Sequence, residues 1–280
     1  MPPFKQVDVF TTKRYKGNPV AVFFEADDLS SEQMAQMSSW TNLSEATFVL
    51  KPTNKDADYK LRIFALEHEL PFAGHPTIGT CHALLEAGLI EPKDGKIYQE
   101  CAAGLVELTV EDGRIKFQLP YAKQLRTPGD ITAVTKHLFQ DEIKSTSPEA
   151  ILFDVGPHWL TLRLDSAETV LSLKPNQAGL KQLSEAWGIT GVQALGPHKA
   201  ENTYELRTFC PAVGCDEDPV CGSGSGAAGA FLAASGELKG TINIIQGTNL
   251  KREGKVTVTN EDKVTVGGPA ITTLEGTWKP

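Results

Sequence analysis

Two short stretches of the chain gather groups able to move a proton or hold an anion. The first, FAGHPTIGTCHALLEAG (72–88), carries Gly74, His75, Pro76 and Thr77 in one turn. The second, VCGSGSGAAGAFLAASG (220–236), carries Cys221, Gly222, Ser223 and Gly224, and follows the acidic run CDEDP that contains Asp218. Each reads as a glycine turn opening into a helix, with Pro76 suited to a first helical position and Gly88 to a stop. A helix start presents backbone N–H groups that lack intrahelical partners, together with the positive end of the helix dipole. Residues 74–78 and 222–226 are therefore candidate binding positions for a carboxylate. Around them, His75 has the chemistry to steady developing charge. Asp218 can orient a substrate group or pass a proton, and Ser223 can donate a hydrogen bond. Glu45, in NLSEATFVL, is a further carboxylate, at a place where the second copy has threonine.

The two stretches belong to a longer internal repeat. FVLKPTNKDADYKLRIF (48–64) aligns without a gap on QALGPHKAENTYELRTF (193–209), placing Pro52 on Pro197, Leu61 on Leu206, Arg62 on Arg207 and Phe64 on Phe209. After a short insertion in the second copy, Gly74 falls on Gly222, His75 on Ser223, Leu84 on Leu232 and Gly88 on Gly236. The copies differ where polar groups gather: Glu45 falls on Thr190 and His75 on Ser223. Such divergence suits a reaction that treats two faces of a substrate differently. Asn18 in the GNPV turn, and His158 in its counterpart GPHW, are further candidates for the site.

The elements that position these residues read the same way in both halves. Strands come first (KQVDVF and PVAVFF; later AILFDV and WLTLRL), then a helix (SSEQMAQMSSW; later LKQLSEAWG), then strands, the glycine turn with its helix, and more strands. LVELTVEDGRIKFQL alternates apolar residues about an Asp-Gly hairpin signal, and KVTVTNEDKVTVGG is its counterpart. TIGTCHALLEA and GAAGAFLAAS are small and apolar on all sides, which suits a helix buried inside a curled sheet. The expected fold is α+β, with two pseudo-repeated barrel-like domains, 1–122 and 123–280, each a curled, mostly antiparallel sheet around a central helix. The last strand is free to return to the first domain. Residues 122–150, with Pro128, Gly129 and Pro148, read as the connection and carry a helix-like piece, DITAVTKHLFQ. A duplicated unit packing about a pseudo-two-fold axis would turn both helix starts into one cleft and clamp a small anionic molecule there.

Composition narrows the field. Of the 280 residues, 40% are apolar and 22% charged, an ordinary globular balance long enough for two domains. A net charge of −8 disfavours nucleic acid and anionic membrane as partners. No apolar run is long enough to span a bilayer, and MPPFKQVDVF does not read as a signal peptide. Five cysteines without regular spacing point to reduced thiols and a cytoplasmic location. Gly224, Gly226 and Gly229 spell G-x-G-x-x-G, but the segment before them is polar, and Gln246 stands where a dinucleotide site needs an acid. His68, His75 and His82 recur every seventh residue without forming H-E-x-x-H, and no C-x-x-C exists, so no metal is expected.

At these residues the chain resembles the PhzF-like phenazine-biosynthesis isomerases. The resemblance runs through VDVFTTKRYKGNPVAVFF, NLSEATFVL, LRIFALEHELPFAGHPTIGT, RTFCPAVGCDEDPVCGSGSGA and GGPAITTLEGTW, in order along nearly the whole chain. It implies a diaminopimelate epimerase-like fold, a homodimer without cofactor, and a proton-shifting isomerase acting on a small carboxylate-bearing metabolite. Glu45 would be the general acid/base, with His75, Asp218 and Ser223 around it. Related epimerases place one of two catalytic cysteines at the position of Cys221. The partner position here is Ala73, so a thiol-dependent racemase or epimerase is an alternative with incomplete machinery. A non-catalytic ligand-binding or scaffold protein is a second alternative. The loop QGTNLKREGKV has Lys251 before Arg252 where the family usually has glycine.

Overall fold

A computed structural model of the protein describes residues 1–127, 129–139, 149–238, 240–260 and 263–279. Pro128 and Pro148, read above as part of a connection, lie outside the described residues, as do 261 and 262 of the later strand pair. The chain parts into two compact units, 1–118 with 267–280, and 119–266.

The first unit contains β1 (Pro3–Val9), β2 (Asn18–Phe23), α1 (Ser31–Thr41), β3 (Ala46–Leu50), β4 (Tyr59–Ala65), β5 (His68–Leu70), α2 (Gly74–Glu86), β6 (Lys96–Cys101), β7 (Gly104–Glu111) and β8 (Arg114–Gln118). The second contains β9 (Lys123–Leu125), α3 (Ile131–Phe139), β10 (Glu149–Asp154), β11 (His158–Arg163), α4 (Ala167–Ser172), α5 (Gln177–Trp187), β12 (Gly191–Pro197), β13 (Thr203–Cys210), β14 (Cys215–Asp218), α6 (Gly222–Ala234), β15 (Gly240–Gln246) and β16 (Gly254–Asn260). β17 (Val264–Gly268) and β18 (Ala270–Thr277) follow. β18 pairs antiparallel with β1 in the first unit.

The repeat is carried by strand pairing as well as by sequence. β1–β2 is antiparallel, β2–β3 parallel, β3–β4 and β4–β5 antiparallel, β4–β6 parallel and β6–β7 antiparallel. The same series recurs as β10–β11, β11–β12, β12–β13, β13–β14, β13–β15 and β15–β16. The Asp-Gly signal is a true hairpin turn. Asp112 and Gly113 both have positive φ (49° and 72°), the geometry that matches strand twist between β7 and β8.

Each sheet curls about its glycine-rich helix, as the small apolar residues predict. α2 packs on β1, β2, β3, β8 and β18, and α6 on β10, β11 and β16. Ten residues of each helix are buried, spread around its circumference. Glycine allows the close approach. A Cβ on Gly79 would lie 2.4 Å from Val20 and 2.9 Å from Val9, and one on Gly229 would lie 2.5 Å from Val258. The glycines that spell G-x-G-x-x-G thus lie within a buried helix: a Cβ on Gly226 would sit 2.8 Å from Leu119. Gly79→Ala should cost about 1–3 kcal/mol by overpacking. Gly276→Ala, in an open strand position, is the control and should change little. Urea denaturation of both variants checks this.

A second helix covers the outer face of each sheet. α1 is held by a Ser30–Gln33 capping box and ends at left-handed Asn42. It closes an aromatic cluster of Phe23, Phe48, Phe64 and Trp278. Strand period separates the layers: Ala46 and Phe48 of β3 join this cluster, while Thr47, pointing the other way, meets Thr80 of α2 at 2.9 Å. In the second unit α5, capped by Asn176 and stopped at Gly188, covers an apolar cluster that includes Leu160, Leu162, Leu180 and Phe209. No helix among the described residues is long and apolar enough to cross a membrane.

Candidate active site

Glu45 immediately precedes β3, and the parallel pairing of Ala46 with Ala21 brings the start of that strand beside Pro19 and Val20 of β2. His75 is the second residue of α2, buried at 6% exposure. Its Nε2 lies 3.4 Å from Oε2 of Glu45, and neither atom has a hydrogen-bond partner among the described residues. The ring's backbone hydrogen bond is to Pro19, so that bond falls to Nδ1. With Nδ1–H donating to the Pro19 carbonyl, Nε2 turns a lone pair towards Glu45. One proton placed between Nε2 and the carboxyl group would satisfy both atoms.

Burial pushes the His75 pKa down, and the opposing effects of Glu45 and the Pro19 bond are smaller. The ring is therefore neutral at neutral pH. A depressed histidine stabilises the fold fully above its ordinary value, and the contribution is lost as pH falls through the depressed value. Heteronuclear NMR of the imidazoles should show His75 still neutral when an exposed histidine, near about pH 6.5, is half-charged.

The turn around His75 is open at its backbone. Ala73, the residue capping α2, supplies no side-chain hydrogen bond to the helix start. Pro76 sits third in the helix rather than first, still within the turn whose N–H groups need no intrahelical acceptor. The Thr77 N–H donates to the Ala73 carbonyl, and its hydroxyl accepts from Gln99 Nε2 at 3.1 Å. Asn18, at the start of β2, is buried at 1% exposure.

The second unit treats the equivalent turn differently. Cys221, not Ser223, caps α6, its Sγ accepting from the Gly224 N–H at 3.2 Å. Burial, reinforced by Asp218, pushes the Cys221 thiol well above its ordinary range. Gly224 gives its carbonyl to Gln193 Nε2. Ser223 Oγ accepts from Trp159 Nε1 at 3.0 Å and lies 3.5 Å from the Cys221 sulfur. Asp218 Oδ1 accepts from the Val220 N–H, which folds the Asp-Pro turn back on itself. Thr190, the counterpart of Glu45, uses its Oγ1 to accept from the His158 N–H at 2.9 Å. The His158 ring is 39% exposed and 3.8 Å from Asp154.

Three supporting residues escaped the sequence reading. The Pro19 carbonyl sets the His75 tautomer, and Trp159 engages Ser223. Gln246 ties the Asp218 turn together, accepting from Cys221 N–H and donating to the Asp218 carbonyl. The GNPV and GPHW turns flagged the first two regions, but no spacing pairs a tryptophan with a serine so far along the chain.

A duplicated curled sheet around a buried helix is the fold this chain shares with racemase and epimerase-like structures. A probable proline racemase from Agrobacterium radiobacter superposes with a TM-score of 0.64 at 17% identity, covering 100% of this chain and 93% of that one. A PhzF-family phenazine biosynthesis protein from Bacillus anthracis superposes with a TM-score of 0.85 at 24% identity, over 98% of both chains. The family model described as "Phenazine biosynthesis-like protein" matches residues 7–276, and the chain belongs to that family. Among relatives, it is 45% identical to "Antisense-enhancing sequence 1" of Schizosaccharomyces pombe, over 98% of this chain and 97% of that protein. It is 32% identical to trans-2,3-dihydro-3-hydroxyanthranilate isomerase of Pseudomonas aeruginosa, over 89% of this chain and 87% of the enzyme.

Proposed function

We propose that this isomerase moves a proton between carbons of a small carboxylate-bearing metabolite by general acid/base catalysis, without a cofactor. The observation that carries the reading is the Glu45–His75 pair: two buried, facing atoms 3.4 Å apart that lack hydrogen-bond partners among the described residues. Glu45, as carboxylate, takes the proton from an activated carbon. The Nε2 lone pair of neutral His75 then accepts a hydrogen bond from the new carboxylic acid and holds it in place. A charged imidazolium would instead hold Glu45 as the weakly basic carboxylate, so the depressed His75 pKa favours the chemistry. Glu45 returns the proton to a second carbon.

The uncapped start of α2 suits the substrate carboxylate through its N–H groups and dipole. Asp218 and Ser223 are proposed as further substrate-orienting groups. The thiol-dependent alternative has less support, because Cys221 is held protonated and spends its sulfur on the helix cap.

The test is deuterium wash-in. The first compound to try is trans-2,3-dihydro-3-hydroxyanthranilate, the substrate in the Pseudomonas relative's name. Incubated in heavy water with this protein, it should gain label at a single carbon. A wider panel of carboxylate-bearing metabolites follows if it does not. Binding across the panel without label entering any compound would instead mark a ligand-binding protein.

A further inference from the structure

The β13–β14 hairpin brings two cysteines together outside the proposed proton-transfer pair. Cys210 ends β13 and Cys215 begins β14, and the two are direct cross-strand partners. Only Pro211, Ala212, Val213 and Gly214 separate them, in a single 3-10 turn closed by left-handed Gly214 (φ 88°). A register shift between Thr208 and Cys210 sets this opposition. Opposed residues of an antiparallel pair have Cα atoms about 4.5–5.5 Å apart, inside the window of about 4.4–6.8 Å that a disulfide spans. The neighbouring Cys215 thiol, with burial, pushes Cys210 above its ordinary range. Cys210 is buried, whereas Cys215 is partly exposed.

The rest of the hairpin is anchored. Arg207 of β13 grips Glu217 of β14 through two hydrogen bonds of 2.9 and 2.8 Å, and Gln246 holds the Asp218 carbonyl at 3.1 Å. The dithiol therefore sits at the loop end of a ribbon whose other end is fixed, so closing a bond there needs little movement.

We propose that Cys210 and Cys215 are a modification site that reacts with low-molecular-weight disulfides to form a reversible intramolecular disulfide. Cys215, as thiolate, attacks one sulfur of the small disulfide, forming a mixed disulfide and releasing one small thiolate. Cys210 loses its proton and attacks the Cys215 sulfur. The Cys210–Cys215 bond forms and the second small thiolate leaves. Two protein thiols are oxidised, the small disulfide is reduced to two thiols, and the two protons pass to them. So short a closed loop restrains the unfolded chain little, which keeps the bond reducible. Cys81, Cys101 and Cys221 lie outside this cross-strand pair and, unlike Cys215, are buried.

The experiment treats the reduced, full-length protein with oxidised glutathione, alkylates the remaining thiols after denaturation, and maps the peptides by mass. Two alkylations should be lost, with Cys210 and Cys215 cross-linked, no glutathione retained, unchanged circular dichroism, and full reversal by dithiothreitol. Cys210→Ser should stop at one glutathione on Cys215. A wild-type chain that keeps glutathione on Cys215, that cross-links through Cys221, that loses no alkylation, or that unfolds on oxidation overturns the proposal.

Discussion

Glu45→Gln lowers deuterium exchange into substrate by about 10²–10⁴-fold, the usual cost of losing a general base. The amide keeps the size of the carboxylate and can still donate to His75 Nε2, so the 3.4 Å approach between the two side chains survives. Basicity alone is removed. The companion variant is Cys221→Ser. A serine oxygen can still accept from the Gly224 N–H that the sulfur now caps, so the α6 start is retained and most exchange with it. The reverse result, exchange abolished in Cys221→Ser and largely intact in Glu45→Gln, transfers the chemistry to the thiol and sinks the acid–imidazole reading. Circular dichroism of both variants separates lost chemistry from lost fold.

Trp278→Ala destabilises the protein by about 3–5 kcal/mol, a large share of a typical domain's stability. Trp278 is 8% exposed and stands edge-on to Phe23, with ring centroids 5.8 Å apart at 88°. Its Nε1 donates to the Phe24 carbonyl at 3.0 Å, and its backbone N–H donates to Pro2. Truncation opens a cavity beside Phe23 and Phe48, which stack 5.1 Å apart, and leaves the Phe24 carbonyl without its indole donor. Trp278→Phe keeps most of the packing and loses the hydrogen bond, so it should fall between wild type and alanine. Urea unfolding followed by circular dichroism gives both values. A loss below about 1 kcal/mol for alanine would mean the β18 end contributes little to the first unit.

The repeat, the two buried helices and the main strands were legible because their signals are local. Glycine spacing, small-residue composition and an Asp-Gly turn are all read from neighbouring residues. β14 was not legible: CDED has no apolar alternation and reads as a polar turn. It is a strand because β13 pairs with it and because Arg207, buried at 4% exposure, requires Glu217 as its partner. α4 was missed for a similar reason, being a short helix capped by Ser166 and packed on β12 and β13. At the candidate site, Glu45 and His75 are far apart in sequence, and only the family resemblance put them together before the fold did. The capping of α6 by Cys221, whose sulfur accepts from the Gly224 N–H, and the engagement of Ser223 by the Trp159 indole from another strand have no local sequence signal.

The pairing of β1 with β18 has a consequence for biosynthesis. The first unit needs 267–280 to be complete, and these residues leave the ribosome only after the whole of 119–266 has been made. Until then the nascent chain holds β1 with one edge uncovered and the Phe23–Phe48 stack without its indole lid. The unit whose first residues are translated earliest thus cannot be completed until the last of its residues have been made. During synthesis that uncovered strand edge is a template for mispairing until β18 arrives.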